Sequence, residues 1–154
     1  GILATIALVA INPAEAQKKG RDAQRLKDVV TLQTAVEQFL ADNPTLTIAA
    51  AAVSSATGTR ACTGGWIGID LCNYLKTLPM DPANGRTGAF TNNLGVTTGS
   101  ASLKYTLKGD GIGGYKVCAY MESATNKSRV DNLNDGGSDN NRYEIGSIMT
   151  IACE

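Results

Sequence analysis

One helical signal runs from Gly1 to Asn43 and limits what the rest of the chain can build. Residues 1–11, GILATIALVAI, are almost wholly apolar. At 1.5 Å per residue such a run covers roughly 16 Å, about half the hydrocarbon thickness of a bilayer. Beyond it, Ala23, Leu26, Val29, Val30, Val36, Phe39 and Leu40 recur at three- and four-residue steps, an apolar stripe on a helix. Lys18, Lys19, Arg21, Asp22, Arg25, Lys27, Asp28 and Glu37 fill the polar remainder, with Lys18–Asp22 and Arg25–Asp28 spaced as intrahelical ion pairs. Pro44 disfavours helical geometry in the residue before it, so the helix should end near Asp42 and Asn43. Asn12-Pro13 lacks one backbone donor and crowds the preceding turn, which predicts a kink or a short unwound stretch between Gly1 and Pro13.

The apolar run admits three readings. It is the h-region of a secretory signal with Ala14-Glu15-Ala16 as its small-residue site, a buried core helix, or the distal half of a longer apolar helix. The third fits best, because the helical pattern continues past Ala16. A helix of about 43 residues is too long for a globule of 154 residues. The expected organisation is a protruding apolar stalk over residues 1–22 and a head over 23–154 that includes the second half of the helix.

The head reads as α+β. Residues 44–68 are rich in Ala, Thr, Ser and Gly and read as a connecting loop, with one helical turn available to residues 49–53. Residues 70–78 suggest a short helix ended by Pro79, followed by the turn-dense PMDPANGRTG. Strand-like runs occupy 102–108, 115–121 and 143–148, the first two joined as a hairpin through Gly109-Asp110-Gly111-Ile112-Gly113-Gly114. A three- or four-stranded antiparallel meander follows, with one face free for the helix stripe.

Composition narrows function. The chain has no histidine, so no serine or cysteine nucleophile can be paired with an imidazole base, and the commonest metal ligand is missing. The remaining acid/base side chains form no recognisable constellation, and an enzyme is not expected. Lys plus Arg and Asp plus Glu each number 14, so no global field draws the chain to nucleic acid or an anionic surface. The basic cluster of Lys18, Lys19, Arg21, Arg25 and Lys27 is interrupted by Glu15, Asp22 and Asp28 and reads as a solvated or inter-subunit helix face. No specific nucleic acid is predicted as a partner.

Cys62, Cys72, Cys118 and Cys153 form no CxxC, which argues against zinc-ribbon and thioredoxin-like sites. An even count in a small chain suggests disulfides in an oxidising compartment, and three pairings are open. The loop VDNLNDGGSDNN offers Asp131, Asn134, Asp135 and Asp139 as hard oxygen ligands for calcium, or as the Asx turns of a surface loop. An EF-hand is excluded by Leu133 at its third position. Asn126-Lys127-Ser128 is a glycosylation sequon, and Trp66 beside Gly64-Gly65 suggests a core anchor.

Taken together, the apolar helix running into RDAQR, the turn LPMDPANG, the hairpin LKYTLKGDGIGGYKVCAYMES and the closing segment DGGSDNNRYEIG resemble the type IV pilins and the pseudopilins of type II secretion. The resemblance covers most of the chain and is weakest over residues 44–68. It implies a lollipop fold, one long N-terminal helix packed on a small antiparallel sheet. It also implies a structural role as the major pilin of an extracellular filament at the bacterial surface, embedded in the inner membrane before assembly. Ile2, Leu3, Ile6, Leu8, Val9, Ile11 and Pro13 would then form the assembly helix, packing against identical copies. The pilus or secretion assembly machinery is the other implied partner. The family's cleaved leader, N-methylated first residue and nearby glutamate do not occur here, so the sequence is expected to start about a dozen residues inside that helix. Two other roles stand beside the first: a secretion pseudopilin or minor pilin, and a membrane-anchored module binding glycan or nucleic acid. The resemblance favours Cys62–Cys72, around Trp66, and Cys118–Cys153, enclosing the Asp/Asn loop as in the family's C-terminal disulfide region. Some pseudopilins hold calcium in a comparable closing loop, which makes calcium the candidate cofactor at Asp131, Asn134, Asp135 and Asp139.

Overall fold

The computed structural model describes residues 12–154. Ile2, Leu3, Ile6, Leu8, Val9 and Ile11 lie outside the described residues, and so does any bend before Asn12. From there the chain is α+β: one long N-terminal helix, α1 (Pro13–Asp42), and a small antiparallel sheet.

Asn12 is extended, at φ −70° and ψ 103°, and its side-chain oxygen accepts the N–H groups of Ala14 and Glu15 at 3.1 and 3.3 Å. It therefore caps α1, and Pro13 takes the first helical position, where a missing N–H leaves nothing unsatisfied. Asn12 is non-helical as the sequence suggests, and Pro13 begins a helix at that point. At the other end Asn43 closes the helix, its backbone N–H and side-chain amide both donating to the Phe39 carbonyl. Among the described residues no helix is long and apolar enough to cross a membrane.

Four strands form the main sheet in the order β1 (Val53–Ser54), β4 (Tyr105–Gly109), β5 (Tyr115–Tyr120) and β6 (Arg142–Gly146), antiparallel throughout. The three expected strands are β4, β5 and β6, each within a few residues. A separate hairpin pairs β2 (Thr87–Thr91) with β3 (Thr97–Ser102). It was not legible, because Gly, Ser and Thr dominate it and its turn rests on Asn92 accepting the N–H groups of Leu94 and Val96.

Two expected elements do not form. Residues 70–78 make turns rather than a helix: Leu71 N–H bonds Cys62 O, Leu78 N–H bonds Arg60 O, and Ala61 bridges Thr77. Leu78 N–H, which a helix would bond to Tyr74 O, is spent on Arg60 O instead. Residues 49–53 form no helical turn either, because Val53 pairs with Leu107 and Ala49 O accepts Gly109 N–H.

Val29, Leu32, Ala35, Val36 and Phe39 of α1 pack into a core with Tyr105, Leu107, Tyr115, Val117, Ala119 and Met121. Strand alternation divides β5 between two faces. Tyr115, Val117 and Ala119 join the core with α1, and the Tyr115 hydroxyl donates to Glu37 at 2.9 Å. Lys116 and Cys118 meet the closing loop and C-terminal tail instead. Trp66 is buried as expected, its indole N–H bonding Pro79 O at 3.0 Å.

The stripe is shifted from the expected one. Ala23 and Val30 are exposed, whereas Asp22, Arg25 and Asp28 are buried. The expected pairs Lys18–Asp22 and Arg25–Asp28 are replaced by Lys18–Glu15 and Arg25–Asp22, because the head supplies partners that turn Asp22 and Arg25 inward. Contact between α1 and the rest of the chain reaches back to Glu15, which accepts the Ser123 hydroxyl.

Candidate functional site

Two buried polar assemblies fix how the head is carried and closed. The first lies between α1 and the head. Helical spacing places Asp22, Arg25, Val29, Leu32 and Val36 on one face, so the stripe enters polar territory toward its N-terminus. The Arg25 guanidinium is fully buried and grips Asp81 fork to fork, Nε to Oδ2 at 2.7 Å and Nη2 to Oδ1 at 2.8 Å. Its Nη1 donates to Asp22 at 2.8 Å and to Glu122 at 2.6 Å. Arg21 adds a second fork onto Glu122, at 2.6 and 2.7 Å.

Two guanidinium groups thus face three carboxylates, Asp22, Asp81 and Glu122. The surplus negative charge is met by Asp22, which accepts the backbone N–H groups of Glu122 and Ser123 and the side-chain amide of Asn126. Burial alone would lower the Arg25 pKa. Asp81 and then Glu122 outweigh it, and the guanidinium is held charged. Burial likewise pushes the Glu122 carboxyl up, and the hydrogen bonds from Arg21 and Arg25 bring it below the usual range. Beside this network Asp28 accepts the buried Tyr105 hydroxyl at 2.8 Å and the Gln24 amide at 2.6 Å.

Asp81 is placed by the turn after Leu78, where its Oδ1 accepts Ala83 N–H and its carbonyl accepts Asn84 N–H. RDAQR and LPMDPANG, both prominent in the sequence, therefore meet in one interaction. Of the basic cluster, Arg21 and Arg25 turn inward to carboxylates of the head. The sequon residue Asn126 spends its amide on Asp22.

The second assembly is the closing loop. Cys62–Cys72 and Cys118–Cys153 are both bonded, as the resemblance favours. Asp131 caps the one-turn helix α2 (Asn132–Asp135) by accepting Leu133 N–H. Asp135 accepts Gly137 N–H through one oxygen and Glu144 N–H through the other. Asp139 accepts Asn141 N–H and lies 3.3 Å from the Arg142 guanidinium. Asn134 is exposed, at the rim of a cleft shared with Arg129, Asp135 and Tyr143.

The four residues are neighbours in the loop, but the carboxylates of Asp131, Asp135 and Asp139 are turned to separate backbone donors. Calcium takes six to eight oxygens around one point. Among the described residues, the one group of three acidic or sulfur ligand atoms is Cys118, Glu144 and Cys153, and both sulfurs belong to a disulfide. In this arrangement the carboxylates of Asp131, Asp135 and Asp139 serve backbone turns, and among the described residues they form no group of converging ligand atoms.

Sequence reading passed over Lys116 and Glu144. The β5–β6 register sets Glu144 opposite Cys118, two residue pairs along from Lys116, so all three share a face. The available signal was strand alternation: Lys116 lies two residues before the bridged Cys118.

Comparison with protein-family models, curated proteins and solved structures gives no significant match.

Proposed function

We propose that the chain is the major pilin of an extracellular type IV pilus-like filament, polymerising through its apolar N-terminal segment. The observation that carries this reading is α1 itself. It is clamped along one face to the head by the buried Arg25 network, while the sequence leading into it is apolar on every side. A helix so fixed can transmit load from a packed core to a head. An apolar segment of this kind gains about 25 cal/mol per Å² on burial, first in a membrane and then among copies of itself. Identical subunits repeating one head-to-tail contact give a helical fibre. Location at the cell surface agrees with the two disulfides.

Electron microscopy of native material, with mass spectrometry of the purified fibres, tests the reading. Long fibres made mostly of this chain support it. Its presence only as a trace component identifies a minor subunit or secretion pseudopilin. Its recovery as a membrane-bound monomer that captures glycan or nucleic acid would replace the reading.

A further inference from the structure

The closing loop is organised around one buried cation. The Lys116 side chain has no solvent exposure, and its ammonium donates to Glu144 Oε1 at 2.5 Å, to the Met149 carbonyl at 3.0 Å and to the Ser138 hydroxyl at 3.1 Å. Those acceptors come from strand β6, the C-terminal tail and the closing loop, three segments that touch at this point. An ammonium has three protons, and all three are used.

Glu144 is wrapped just as closely. Its second oxygen accepts Asp139 N–H at 2.8 Å, and its backbone N–H donates to Asp135. Gly137 lies so near that a Cβ there would stand 1.7 Å from Glu144 Oε2. The loop therefore lies directly over a carboxylate whose charge is balanced from beneath by Lys116. A second cation, Arg142, stands beside Asp139.

We infer that the Lys116 ammonium is the resident cation of the closing loop, holding residues 131–141 over Glu144 and making their order independent of divalent metal. A bound calcium ion would collect the loop's acidic oxygens at one point. Here Asp131, Asp135 and Asp139 cap backbone turns, and the buried positive charge is covalently part of strand β5. This inference does not depend on the filament reading.

Hydrogen exchange on the full chain in detergent micelles, with millimolar calcium or with a chelator, tests it. The amides of Gly137, Asp139 and Asn141 should be equally protected in both conditions, and the melting temperature should not move. In Lys116→Met, which keeps the stem and removes the charge, those amides should exchange at least tenfold faster while those pairing β4 with β5 stay protected. Should Lys116→Met fail to fold, Ser138→Ala removes the loop's own contact with the ammonium, along with the long 3.4 Å bond from that hydroxyl to the Ile151 carbonyl. It should accelerate exchange in residues 137–141 severalfold. Calcium-dependent protection in the wild-type chain would overturn the inference. So would unchanged loop exchange in Lys116→Met, or in Ser138→Ala where that variant is the one measured.

Discussion

Arg25 and Asp81 stand 56 residues apart in sequence and form a two-bonded pair with no solvent exposure on either side chain. One belongs to the helix and the other to the turn after Leu78, so the pair fixes the position of α1 along the head. Removing one member of a buried pair strands the other charge in a low-dielectric site. Arg25→Met should therefore destabilise the folded chain by about 3–5 kcal/mol. Arg25→Lys should recover only a small part of the loss, because an ammonium cannot reproduce the planar fork. Urea unfolding of the two variants checks both outcomes.

Acid should loosen the same junction. Glu122 is held below the ordinary carboxylate range by Arg21 and Arg25 against the opposing effect of burial. A group with a depressed folded value stabilises above its unfolded value, about 4.3 for Glu, and that contribution is lost as the pH falls through the folded value. Asp135 has the opposite sign. Burial raises its carboxyl, so stability is gained there as the pH falls through the raised folded value toward the unfolded Asp value, about 3.9. Unfolding free energies measured across the acidic range should fall less steeply in Glu122→Gln, and more steeply in Asp135→Asn, than in the wild type.

The two disulfides should differ in weight. Cys62–Cys72 closes a separation of 10 residues and Cys118–Cys153 one of 35. Chain entropy gives about 2.7 kcal/mol for the shorter loop and about 3.8 kcal/mol for the longer one. Paired Cys→Ser variants, compared by denaturant midpoint at constant slope, should show the larger loss for Cys118 and Cys153.

Gly137 should resist every side chain. Alanine there would place a methyl group inside the Glu144 carboxylate, with carbon backing it at 2.4 Å, so the loop would have to lift. Gly137→Ala should cost about 1–3 kcal/mol, in the range of overpacked sites. Chemical denaturation measures the loss, and faster exchange at the Asp139 amide would locate it.

The sequence was most readable where one element repeats a period. Val29, Val36 and Phe39 announced the buried face of α1, and Pro44 its end. Strands β4, β5 and β6 showed through their apolar and aromatic residues. Arg25 was misplaced because a period identifies a face but not its chemistry. An arginine on the buried side looks like a solvated one until Asp81 and Glu122, distant in sequence, are known to converge on it. The closing loop was hard to read for the same reason. Asp131, Asp135 and Asp139 stand out by their number, whereas Lys116, which reaches Ser138 and Glu144 there, comes from a strand whose neighbouring residues are apolar. Short elements were the least legible. β1 has two residues and exists only because Leu107 and Thr106 are there to pair with it.

A helical reconstruction of native fibres tests the account's central claim most directly. It should place residues 1–11 of every subunit in the packed core, with α1 leading outward from Pro13 and the head facing solvent. Fibres lacking this chain, or a reconstruction that leaves residues 1–11 on the outer surface, would contradict the account.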